Sequence, residues 1–380
     1  MKILIAPNSF KGSLTAFEAA AAIEKGVKLV FKNAKIIKTP LADGGDGTLE
    51  VMTRSTGGKI KTAKVTGPLG NKIKAKYGVS GDGRTYFIEM AETSGLKLVP
   101  KAKRNPMLTT SAGVGDLLNL ALRNKAKKIV LGIGGSATND GGIGMAKALG
   151  FKFSDKRGRE VGEGGSGLLE IAAIKENGAQ KRFKNVEVLV ACDVTNPLYG
   201  KNGASRVFGP QKGATPRMVK LLDKALSNYA KTIKRDLGIE VSKLQGGGAA
   251  GGVGAALFAF TGAKLQKGIN IIIAVTEIEK KLKNASLVIT GEGQLDFQSI
   301  FGKAPVGIAK LAKKHKVPVL CIAGSIGDIN AEVYRAGISS VITLVNGPLS
   351  LETAMKNAAP LLTSATERAL TGIKNIKVQL

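Results

Sequence analysis

Residues 132–150, GIGGSATNDGGIGMAKALG, constrain the fold more than any other stretch of this chain. They follow the apolar run Ile129, Val130 and Leu131, which has the pattern of a short buried strand. They end where Met145, Ala146 and Leu149 recur at helical spacing. Strand, glycine-rich turn and helix in this order let backbone N–H groups point at an anion. Gly134 and Gly135 allow close approach, Ser136 and Thr138 add hydroxyl donors, Asn139 follows, and Asp140 is a candidate metal ligand. A tight βα turn without a ligand is the plainer reading. The ligand reading gains weight because the chain repeats the arrangement.

A strand over residues 2–6 runs into Asn8, Lys11, Gly12 and Ser13, and a helix opens at Thr15 with Glu18 three residues on, a capping box. Lys11 and Ser13 therefore fall at the C-terminal edge of the first strand, where open α/β sheets bind ligands. Residues 35–38 form a second strand leading to Asp43 and Asp46 among glycines, a pair suited to Mg²⁺ or substrate hydroxyls, or to an Asx-rich turn. From residue 59 to 90 the period changes to alternation broken by Gly-Pro and Gly-Asp-Gly turns, which predicts antiparallel strands and a domain boundary near residue 60. Arg104, in a basic turn, is a carboxylate clamp or a plain surface arginine.

The apolar strand 186–191 ends in Asp193, placed as a catalytic base or metal ligand, or as an N-cap, with Asn196 three residues on. Lys212 sits in the glycine turn 208–214. Gly246, Gly247 and Gly248 open QGGGAAGGVG, which reads as a second backbone cradle or a hinge. A strand at 287–290 precedes Glu292 and Asp296, and Lys303 stands before a helix with Pro305 in its first turn. Further strands at 317–323 and 340–345 and a helix at 351–368 complete the chain.

Composition removes several classes. The net charge is +29, but the lysines are scattered among helical segments and there is no tryptophan, so a base-stacking platform is not expected. No apolar run is long enough to cross a bilayer. Cys192 and Cys321 lie in apolar runs and read as core thiols of a reducing cytoplasm. A single histidine, His315, excludes a histidine triad and a histidine-held zinc. No Walker P-loop occurs. Gly132-x-Gly134-x-x-Ala137, with Asp155 downstream, and Gly246-x-Gly248-x-x-Gly251 match a dinucleotide fingerprint, but in the first Asn139 to Gly142 delay the helix. A dinucleotide-dependent oxidoreductase and a basic nucleic-acid-binding protein thus stand as the rivals of an anion-handling enzyme.

Seven stretches together resemble the bacterial glycerate kinase family: APNSFKGSL (6–14), ADGGDGT (42–48), residues 132–150, CDVTNPL (192–198), VFGPQKGA (207–214), GAAGGVG (248–254) and VITGEG (288–293). They run in order over nearly the whole chain. Two positions depart from the family pattern: Asn8 stands where Asp is usual, and Asp46 where Glu is usual. The resemblance implies two different α/β domains. One is Rossmann- or flavodoxin-like with a parallel sheet split in sequence (1–60 and 285–380); the other, inserted at 61–284, is mixed and contains antiparallel strands, with the site between them. It also implies ATP-dependent phosphorylation of D-glycerate at the 2-hydroxyl, with Mg²⁺.

On that reading Asp193 is the base and Lys11 neutralises charge on the transferred group. Ser13, Asp43, Asp46, Arg104 and Asn196 bind glycerate. Gly134, Gly135, Ser136, Thr138, Asn139, Gly246, Gly247, Gly248, Lys212, Glu292 and Lys303 hold the nucleotide, and Asp140 and Asp296 hold the metal. Lys11 and Ser13 are expected to face one cleft with Asp193 and Asp140. The expected partners are ATP and D-glycerate, with no nucleic acid and no membrane; a homodimer is allowed, and the location is cytoplasmic.

Overall fold

The computed structural model describes the chain except at Asp43, Asp46, residues 297–303, Asn330 and Leu380, and at the side chains of residues 376–379. In chain order its strands are β1 (Lys2–Ile5), β2 (Lys35–Lys38), β3 (Lys59–Thr66), β4 (Lys72–Val79), β5 (Thr85–Glu89), β6 (Lys128–Gly132) and β7 (Lys152–Ser154). They continue with β8 (Ala173–Lys175), β9 (Glu187–Ala191), β10 (Lys264–Gln266), β11 (Leu287–Leu295), β12 (Val319–Ile326) and β13 (Ser340–Thr343). The chain divides into two compact units, Met1–Asp43 with Ile269–Leu380, and Gly44–Gly268.

The first unit is built on a parallel sheet of order β13-β12-β11-β1-β2. Counted along this unit, the order is that of flavodoxin-like sheets, whose direction of winding reverses between the first and third strands. Here those strands are β1 and β11, paired from Ile3 with Leu287 to Ile5 with Ile289. The helix Ala16–Val30 starts as its sequence predicts: Thr15 Oγ1 accepts from Glu18 N, and Glu18 Oε2 accepts from Thr15 N at 2.8 Å. Its buried Ile23 and Val27 join Ile3, Ile5, Ile289, Ile322 and Leu362 in one apolar core. β11 runs on through Leu295, with Glu292 opposite Ala323 of β12. Residues 291–295, read from sequence as a loop beyond the strand, are therefore strand.

The second unit holds a sheet of order β10-β9-β6-β5-β4-β3. The pairs β3/β4 and β4/β5 are antiparallel, as the alternating pattern predicts, and β5/β6, β6/β9 and β9/β10 are parallel. β7 and β8 form a separate two-stranded ribbon. The helix Thr48–Ser55 belongs to this unit: Leu49 N donates to Glu89 Oε1 at the end of β5, and Thr53 packs against Gly78 of β4. β10 extends the sheet beside β9. The helix Thr48–Ser55 moves the first border from residue 60 to 43/44, and the helices Gly268–Val275 and Ile278–Leu282, which group with the first unit, move the second from 285 to 268/269.

Candidate active site

In the second unit the parallel strands β5, β6 and β9 end side by side, with Glu89 opposite Gly132 and Gly132 opposite Ala191. Beyond β6 the chain enters residues 133–142 before the helix Ile143–Leu149. That helix does not begin at Ala137, as a dinucleotide fingerprint requires. The back of the turn is tied down: Ala137 N donates to Ser94 O, Leu96 N to Gly135 O, and Thr109 Oγ1 to Ala137 O. Gly134 and Gly135 are exposed, and among the described residues neither N–H donates a backbone hydrogen bond. Two exposed amides that make no backbone hydrogen bond, on a turn tied down at Gly135 and Ala137, are donors available to an anion.

Lys212 lies under this turn and is 2 % exposed. Its Nζ donates to Ser136 Oγ at 2.9 Å and to Thr138 O at 2.6 Å. A 3₁₀ turn, Pro210–Lys212, delivers it inward, and Gly213 follows at φ +91, where a Cβ would collide with Arg104 O. Burial pushes the Lys212 ammonium down to about 7, while the Asp140 carboxylate pulls the other way. Between about pH 7 and the ordinary lysine value the unfolded chain holds a proton that the folded one has released. The cost of burying the charge is therefore full below pH 7 and shrinks as the pH rises. The stability of the wild type relative to Lys212→Met should climb from pH 7 to 9 in urea unfolding; a flat difference would contradict it.

Asp140 is not placed to bind metal. It is fully buried, and its carboxylate accepts from Ser111 N, Ser111 Oγ, Gly142 N and Gly144 N. Burial pushes this carboxyl up, against the pull of those hydrogen bonds. It closes the turn onto the helices Ala112–Arg123 and Ile143–Leu149 and faces no cleft. Thr138 and Asn139 are also fully buried, and Asn139 Nδ2 donates to Ser205 Oγ. Gly246, Gly247 and Gly248 are no open cradle: all are buried, Gly247 N donates to Leu244 O and Gly248 N to Asn196 O. The glycines there serve packing, as at Gly251, where φ is +70 and a Cβ would collide with Thr138 O.

Asp193 follows β9, which lies inside the sheet and not at its edge. A carboxylate closing an apolar strand is expected to be partly desolvated, yet Asp193 is exposed. Oδ1 accepts from Gly268 N at 2.9 Å. Gly44 packs against Asp193 Oδ2 on one side, and its carbonyl reaches Gly134 on the other. Asn196 is half-buried and donates from Nδ2 to Asn202 O. Arg104 is half-buried, and its Nε is buried without a hydrogen-bond acceptor.

In the first unit a cavity of about 370 Å³ opens at the β1/β11 switch point. Its polar side includes Asn8, Lys11, Ser13, Glu292 and Gln294, and its apolar side Leu344, Leu351 and Met355. Lys11 is exposed, Ser13 Oγ donates to Phe10 O, and Glu292 is 5 % exposed. Asp296 is half-buried just past the end of β11. The candidates Asp43, Asp46 and Lys303 lie outside the described residues.

A model of the glycerate kinase family matches residues 3–374. The chain belongs to the glycerate kinase family. It is similar to glycerate 2-kinase of Escherichia coli K12, at 51% identity over 358 residues and 94% of both chains. Against glycerate kinase of Bacillus subtilis 168 it is 48% identical over 377 residues and 99% of both. A crystal structure from Salmonella typhimurium LT2, assigned to glycerate kinase 2, superposes at a TM-score of 0.92 with 49% identity, covering all of both chains.

For a glycerate kinase family member the carboxylate inventory matters. Among the described residues no cluster of three or more His, Cys, Asp or Glu side chains is placed to hold a metal. Asp296 stands just past the end of β11, while Glu292 lies four residues back inside the strand, too far along it to share one ion. One acid was not singled out from the sequence. Glu89, 8 % exposed, ends β5 beside Gly132 and accepts from Leu49 N. Its signal was the same as that of Asp193, an acid closing an apolar strand.

Proposed function

We propose that this chain transfers the γ-phosphoryl group of ATP to the 2-hydroxyl of D-glycerate, giving 2-phosphoglycerate and ADP. Family membership over residues 3–374 supports a phosphotransferase acting on an alcohol. The single structural observation carrying the reading is the exposed Asp193 beside a turn whose exposed Gly134 and Gly135 amides donate no backbone hydrogen bond, at adjoining ends of parallel strands. Phosphoryl transfer asks for positioning and charge neutralisation more than covalent help.

Asp193 accepts the hydroxyl proton as the glycerate oxygen attacks the γ-phosphorus. Gly134, Gly135 and Ser136 hold phosphate oxygens, and Lys11 offsets charge developing on the transferred group. Arg104, with Nε unmatched, takes the glycerate carboxylate. Leu344, Leu351 and Met355 make the first unit's cavity better suited to a nucleoside than to glycerate, whose every carbon carries oxygen. Asp296, just past the end of β11, is the carboxylate that would hold a Mg²⁺ brought in with ATP, and that ion would supply neutralisation of the phosphate charge. No helix among the described residues is long and apolar enough to cross a membrane. The reading places the enzyme in the cytoplasm, working on small molecules.

Purified protein with Mg-ATP should release ADP only when D-glycerate is present. Enolase alone should turn the product into phosphoenolpyruvate, because that enzyme takes the 2-phosphate directly. A product that needs phosphoglycerate mutase first would refute the 2-hydroxyl assignment, and glycerate-independent ADP release would refute the kinase reading.

A further inference from the structure

We propose that Lys212 is a positioning residue, an internal latch that keeps the turn at residues 134–138 shaped for an anion without touching the anion itself. Both acceptors recorded for its ammonium, Ser136 Oγ and Thr138 O, lie on that turn. From the opposite side the turn is tied by Ser94 O, Leu96 N and Thr109 Oγ1. The latch and these ties together fix residues 135–138, leaving the amides of the exposed Gly134 and Gly135 without a backbone acceptor.

The cation is costly to keep there. An ammonium taken wholly out of water loses more than two neutral acceptors return, and an apolar side chain of similar volume would often stabilise the fold. A turn that needed only filling would not require it. What the lysine adds is direction: its Nζ holds Ser136 Oγ at 2.9 Å and Thr138 O at 2.6 Å, which an apolar side chain cannot do. The surroundings are built to bring it in: the 3₁₀ turn Pro210–Lys212 ends at Gly213, which passes so close to Arg104 O that no side chain fits. Sequence reading placed Lys212 on the nucleotide; at 2 % exposure it acts from beneath instead.

The proposal rests on the reading that this turn receives the ATP phosphates. Lys212→Met keeps the volume and removes both bonds. The expected result is cooperative unfolding at or above the wild-type midpoint, with hydrogen exchange of the Ala137 amide, which donates to Ser94 O, at least tenfold faster and exchange unchanged in the helix Pro216–Leu237. KM for Mg-ATP should rise roughly tenfold, as for one lost hydrogen bond to a charged group, with KM for glycerate unchanged. Wild-type exchange at the Ala137 amide overturns the latch. Faster exchange with a raised KM for glycerate alone supports the latch and moves the turn to the other substrate, overturning the phosphate assignment. Should Lys212→Met not fold, Ser136→Ala removes one bond with the lysine in place, and wild-type exchange there overturns the proposal equally.

Discussion

Asp193→Asn lowers kcat by about a hundredfold or more while leaving the fold and ADP binding as they are. The loss is the usual size for a removed general base. The fold survives because the contact it makes to the backbone needs only an acceptor: Gly268 N donates to Oδ1, and an asparagine carbonyl serves that bond as well as a carboxylate does. What asparagine cannot do is take a proton from a hydroxyl. If Asp193 were only a cap, the variant would turn over like the wild type, and the base role would pass to Glu89 or Glu292. Steady-state rates with Mg-ATP and D-glycerate separate the two, with ADP binding by calorimetry as the check on the fold.

Asp140→Ala produces an unfolding effect rather than a catalytic one. It leaves Ser111 N, Ser111 Oγ, Gly142 N and Gly144 N without their acceptor in a fully buried place. Orphaned buried donors and a broken polar network cost on the order of 3–5 kcal/mol, enough to deplete the folded state of a marginally stable unit. Urea unfolding reads the loss. A variant that unfolded like the wild type but required more Mg²⁺ would restore the metal role suggested by the sequence.

Much of the fold was legible because periodicity reports burial. The apolar runs at β1, β6, β9, β11 and β12 are strands buried in parallel sheets, and the alternation of β3 and β4 is that of a hairpin with one face outward. The unit borders were not legible, since the helix Thr48–Ser55 has an apolar face suited to either sheet, and only three-dimensional packing shows it against β4 and β5. Glycine content misled for a physical reason. A glycine beside a ligand and a glycine beside another backbone look alike in sequence, and residues 246–252 prove to be the second kind. Acid residues shared this ambiguity: Asp140 and Asp193 both follow buried strands, one folded back onto helix ends and the other exposed. Lys212 was legible as a cation in a glycine turn, but the side from which it works was not.

Asp193 also marks a seam. Gly44 and Gly268, the first and last residues of the inserted unit, meet beside its carboxylate, with a Cβ on Gly44 standing 3.9 Å from Gly268 Cα. A module whose two ends nearly touch can enter a loop of another protein, or leave it, without stretching either one. With borders at 43/44 and 268/269, the chain enters and leaves the second unit at one place, beside this carboxylate. On the proposed reading the proton acceptor of the reaction was set at the join.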